Sequence, residues 1–64
     1  MNKLTPSELK VLEYLVQGYN NKEIGKILFI SQHTAKSHVC SIIKKTNLRD
    51  RTEVAYWAGK YNIL

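Results

Sequence analysis

Sixty-four residues make one domain, 1–64, and leave no room for a second. Ten Lys and Arg against five Asp and Glu give a net charge of +5 and a pI near 9.6, a balance that fits a polyanionic partner. The single cysteine excludes an internal disulfide, His33, His38 and Cys40 diverge too far around one helix to share a metal, and no apolar run approaches a membrane span.

The first helix is announced by Leu4-Thr5-Pro6-Ser7-Glu8. Thr5 can cap it, Pro6 sits where its missing N–H costs nothing, and Glu8 closes a capping box. Leu9, Leu12, Leu15 and Val16 then repeat at helical spacing with Val11 beside them, and Leu4 can fold over the first turn as a staple. Gly18 has the place of a residue just past the helix end, so the helix is expected over about 6–17. Its polar face, with Lys10 and Glu13, reads as a solvated surface.

Asn20 followed by Glu23 repeats the capping-box spacing, which predicts a second helix over 21–28 that buries Ile24, Ile27 and Leu28. Gly25 inside it costs about 1 kcal/mol relative to alanine. Either another helix approaches closely there, or the residue has simply drifted from alanine. Phe29-Ile30-Ser31 leaves only a very short turn, so the next helix must cross steeply, as in a helix-turn-helix.

Ser31 is the expected cap of the third helix, over 32–46. Wound at about 100° per residue from Ala35, its Val39, Ile42, Ile43 and Thr46 fall within about 100° of one another and form the buried stripe. His33, Ser37, Cys40, Ser41 and Lys44 face the other way, with Lys36 on the shoulder. No acidic residue shares that face. His38 falls at its edge and reads as a half-buried histidine, with a backbone-contacting donor as the alternative.

Asn47 can end the third helix and Leu48 can fold back into the core. Asp50 and Glu53 form a further capping box before a fourth helix over about 51–60, with Val54, Trp57, Ala58 and Tyr61 on one side. That is more apolar surface than one small core needs. The fold class expected is all-α: a compact four-helix domain with a helix-turn-helix, without repeats or strand-like alternation. Charge is concentrated in residues 31–51, where Lys36, Lys44, Lys45, Arg49 and Arg51 face only Asp50.

Several of these segments together carry a resemblance. Leu4-Thr5-Pro6-Ser7-Glu8 is followed by Gly18-Tyr-Asn-Asn-Lys-Glu-Ile24, Leu28-Phe-Ile-Ser31, Thr34-Ala-Lys36, His38, Ile42, Lys45 and Arg51-Thr-Glu-Val-Ala55. In that order and spacing the chain resembles a LuxR-type helix-turn-helix domain, also called the NarL/FixJ or GerE type, over almost its whole length. Four positions depart from the pattern: Ser7 for the usual arginine, Gly25 for alanine, Ala35 for valine, and Thr46 where leucine is common. Ala35 and Thr46 point to a slightly looser core beneath the third helix, and Ser7 removes an ion pair.

The resemblance implies a bacterial transcription-factor domain, often the output domain of a response regulator, whose third helix enters the major groove of double-stranded DNA. Position by position it implies base reading by Lys36, Ser37 and Cys40, which share the outward face. Ser31, His33, Thr34, Ser41, Lys44, Lys45, Arg49 and Arg51 are then the expected contacts to the DNA backbone. The fourth helix is expected to pair two copies through Val54, Trp57 and Lys60. RNA polymerase is a further expected partner, and the setting is the cytoplasm, on the nucleoid. No cofactor, metal or small-molecule ligand is expected.

Two other function classes compete. For an enzyme, no carboxylate pair, nucleophile-base set or phosphate-cradling glycine loop is present, and capping explains Glu8, Glu23 and Glu53, so no catalytic residue is assigned. A basic helical module that meets an acidic protein partner would share the charge but would not depend on the identity of Lys36 and Ser37.

Overall fold

Each helix starts where a side chain takes up its first free amides. In a computed structural model that describes residues 4–60, the chain forms α1 (Pro6–Leu15), α2 (Asn21–Leu28), α3 (Gln32–Thr46) and α4 (Arg51–Lys60). Thr5 Oγ1 accepts from the Glu8 amide at 3.2 Å while Glu8 Oε1 accepts from the Thr5 amide at 2.8 Å. Asn20 and Glu23 make the same reciprocal pair at 2.8 and 2.9 Å. Ser31 Oγ accepts from the Thr34 amide at 2.9 Å and donates to Thr34 Oγ1 at 2.9 Å. The fourth box is offset by a residue: Asp50 Oδ1 accepts from the Glu53 amide, but Glu53 Oε1 reaches the Arg49 amide instead of that of Asp50.

The first helix stops at Leu15, two residues short of the expected end. Gly18 is the cause, with φ at +95°, a conformation that glycine adopts without penalty. The Gly18 amide donates to the Leu15 carbonyl at 3.1 Å and the Tyr19 amide to the Tyr14 carbonyl at 3.2 Å. Those two bonds make a Schellman motif, which replaces the last α-helical bonds with a tighter turn. The Tyr14 and Tyr19 rings close over it edge to face, 5.8 Å apart. Asn47, in the left-handed region at φ 58°, ends α3 as expected.

Phe29 ends α2 in the same left-handed conformation, unusual for a bulky residue, and is 95% exposed. The chain turns back so sharply that the Ile30 amide bonds the Gly25 carbonyl at 2.9 Å. This settles why glycine occupies position 25. A β-carbon there would lie 2.7 Å from the Ile30 carbonyl oxygen and 3.3 Å from the Gln32 amide nitrogen. The close neighbour is the backbone of the turn and the first residue of α3. Gly25→Val is therefore expected to cost about 2–3 kcal/mol through overpacking and to lower the thermal midpoint by about 10 °C or more. A melting curve that matches the parent's would refute the close approach.

α3 lies against the other three helices. Val11, Leu12, Leu15, Ile24, Ala35, Val39, Ile42, Val54 and Ala58 form the buried core, with Ile43, Leu48 and Trp57 packed partly against it. The expected stripe of α3 is the observed one, and Thr46 remains half-buried by donating its hydroxyl to the Ile42 carbonyl at 2.8 Å. Leu9 departs from expectation. It is 37% exposed, and Val11 takes the core position instead. Ile27 and Leu28 are half-buried, and Tyr61 lies outside the described residues. Among the described residues no helix is long and apolar enough to cross a membrane.

Candidate nucleic-acid interface

The steep turn at Phe29–Ser31 and the apolar stripe of α3 together decide which way the opposite face of α3 looks. His33, Lys36, Ser37, Cys40, Ser41 and Lys44 line one shallow open groove of about 380 Å³ along it. All are exposed except Ser41, which is half-buried. Among the described residues neither Lys36 nor Lys44 has an ion-pair partner. The three residues expected to read bases thus lie together, with Lys36 and Lys44 one turn either side of Cys40.

The other cations differ. Lys45 places Nζ 2.7 Å from Glu8 Oε1, so its charge is matched inside the fold. Arg51 uses its guanidinium fork on neutral acceptors, Asn21 Oδ1 and the Tyr19 carbonyl, both at 2.9 Å. It therefore keeps its charge while tying the start of α4 to the start of α2. Arg49 is exposed and lies 3.5 Å from Glu53, a surface pair of little strength. The hydroxyls of Ser31 and Thr34 are joined in the cap. His38 is half-buried at a small hollow beside Ser7, Lys10, Val11, Leu28 and Ile30.

Glu8 is the residue whose role the sequence understates. Capping accounts for only part of it. The residue is 4% exposed, and beyond the Thr5 amide its carboxylate accepts from Ser41 Oγ at 2.5 Å and Lys45 Nζ at 2.7 Å. Burial by itself pushes the carboxyl pKa up. The bonds from Lys45, Ser41 and the Thr5 amide, with the lysine's charge, outweigh it and hold the value at about 2 against an ordinary 4.5.

On α4, Val54 is fully buried in the core of its own domain, which removes it from the surface where a dimer seam was expected. Trp57 is half-buried, and Lys60 sits with Nζ 5.8 Å from the centre of the Tyr56 ring, itself 68% exposed. The outer face of α4 is therefore aromatic and basic, with Val54 supporting it from behind.

A three-residue turn between α2 and α3, a buried α3 stripe and an exposed acid-free α3 face define a helix-turn-helix domain. Residues 2–58 match the family described as bacterial regulatory proteins, luxR family. The chain belongs to that family, the one its motifs resemble, and its helix-turn-helix is a DNA-binding domain of transcription regulation. It is 45% identical over 60 residues to the transcriptional regulatory protein LnrK of Bacillus subtilis, covering 94% of this chain and 27% of that protein. Identity is 46% over 50 residues with the transcriptional regulatory protein DegU of Brevibacillus brevis, covering 78% and 21%. With the nitrate/nitrite response regulator protein NarL of Escherichia coli it is 40% over 63 residues, covering 98% and 29%. The chain thus spans less than a third of the length of these relatives.

Proposed function

We propose that the domain binds double-stranded DNA in a sequence-dependent way, with α3 in the major groove. The observation that carries this is the exposed, acid-free face of α3, where Lys36 and Lys44 have no ion-pair partner among the described residues. Lys36 is suited to donate to guanine O6 and N7, and Ser37 to bond either kind of base edge. Cys40 can do little more than touch a thymine methyl, so discrimination at its base step is weak. Lys44, Arg49 and Arg51 supply charge toward phosphates, with Ser31, His33 and Thr34 near the start of α3.

Two copies pair on a two-fold site through the outer face of α4, with Trp57 and Lys60 at the seam. RNA polymerase is a further partner, and the domain works in the cytoplasm on the nucleoid. The larger size of the relatives supports a regulatory segment outside this chain, so the input signal belongs to that segment.

The test is salt dependence. With Lys45 matched by Glu8, three or four cations per domain remain for phosphates, and log affinity for duplex DNA is expected to fall against log salt with a slope of about −3 per domain. Fluorescence anisotropy across a salt series measures it. A flat response would refute DNA binding.

A further inference from the structure

We infer that Glu8 is a positioning residue for DNA recognition: through Ser41 and Lys45 it sets the roll of α3 about its own axis, and so how Lys36, Ser37 and Cys40 meet base edges. This rests on the DNA-binding reading above. Ser41 and Lys45 stand one helical turn apart on α3 and both donate to the one carboxylate, which the Thr5 amide holds at the start of α1. Anchors about 6 Å apart along an axis oppose both rotation and tilt, where one contact would act as a pivot. Ser41 also lines the groove with Ser37 and Cys40, so the buried contact meets the reading face at that residue.

Roll matters because base contacts are short. A rotation of about 15° carries a side-chain tip about 1.5 Å around a helix of about 5–6 Å radius. That is enough to lose a hydrogen bond. The apolar stripe under α3, with Ala35, Val39 and Ile42 in the core, is buried but its packing is non-directional. The polar anchor supplies directionality that the apolar contact lacks. On this account Lys45 acts from behind the reading face and Ser41 from its edge, both through Glu8 and not as backbone contacts.

The experiment compares the parent with Ser41→Ala and Lys45→Met on a selected duplex and a random duplex of equal length, at a temperature where circular dichroism shows each protein folded. Ser41→Thr restores the hydroxyl as a rescue. The expected result is about tenfold weaker binding to the selected duplex, random-duplex affinity within about twofold, and an unchanged salt slope; the threonine variant recovers the ratio. Equal losses on both duplexes, with the Lys45→Met slope shallower by about 0.9, would overturn the inference in favour of direct phosphate contact. An unchanged ratio in folded variants would overturn it in favour of a merely structural role. A parent that binds neither duplex overturns the DNA-binding reading itself and the inference with it, an outcome distinct from the other two.

Discussion

Glu8→Ala is expected to take the domain close to its unfolding threshold at neutral pH. Removing one partner of a buried ion pair costs about 3–5 kcal/mol. The lower end applies here, because Lys45 retains 26% side-chain exposure and can turn toward water. The change also removes one half of the α1 capping box and leaves Ser41 without its acceptor. A domain of this size has only about 3–10 kcal/mol of stability at ~0.05–0.15 kcal/mol per residue. Urea denaturation at pH 7 should show the midpoint fall by a third or more.

The same carboxylate gives the parent a defined acid sensitivity. Its folded-state pKa, about 2, lies below the unfolded value of 4.5, so folding favours the charged form. The stabilisation is complete above about pH 5 and is lost as pH falls from 4.5 toward 2, an interval worth about 3 kcal/mol at ~1.4 kcal/mol per pH unit. Glu8→Gln has nothing to titrate and should lose much less between pH 5 and pH 2.5. Parallel losses in parent and Gln variant over that window would show that other carboxylates dominate the acid response.

Lys36→Ala should do the opposite: leave the fold untouched and remove recognition. Lys36 is exposed and has no ion-pair partner among the described residues, so the melting temperature should match the parent's. A good base contact in the major groove is worth about 1–3 kcal/mol of discrimination. The affinity for a selected duplex should therefore fall by about 5- to 150-fold, with a smaller loss on random DNA. Cys40→Lys is the complementary change, adding a donor where the native thiol reads weakly, and binding-site selection should return a sharper preference at one base step. If neither change alters the selected sequence while both proteins still bind an acidic protein, the basic-module reading replaces the DNA one.

Local chemistry made most of the fold legible. Thr5, Asn20, Ser31 and Asp50 each cap the helix they precede because capping involves residues three apart in sequence. The α3 stripe follows from a fixed helical period, so the period alone groups the residues that line the groove. Gly25 was ambiguous because its neighbour is a backbone carbonyl five residues on, which only the turn geometry brings within reach. Leu9 was misplaced because the apolar spacing of α1 admits two slightly rotated stripes, and the direction of α2 and α3 chooses between them.

The contacts of Glu8 with α3 were not legible at all. Ser41 and Lys45 lie 33 and 37 residues from Glu8, and nothing in a helix wheel says which neighbour will face their edge of α3. The helix period puts Ser41 on the outward face, where it does line the groove, but does not give its bond to Glu8, and the charge of Lys45 alone ranks it with the outward cations. Val54 was misassigned for a related reason. An apolar residue on α4 can serve the core or a seam, and the sequence period is the same for both.

In the pairing through α4 proposed above, Arg51 would bear on operator architecture. Its fork holds the first turn of α4 against Tyr19 and Asn21 at the mouth of α2, and α2 is joined to α3 by a turn with no slack at Gly25. In a pair formed through α4, neither reading helix can swing independently of the helix that joins the two copies. The separation of the half-sites is then fixed by the angle at which one α4 crosses its twin. Adding one base pair between half-sites moves the second by about 3.4 Å and turns it by about a tenth of a helical repeat. A rigid pair has no joint to absorb that, so its operators should tolerate changes in base identity far better than changes in spacing.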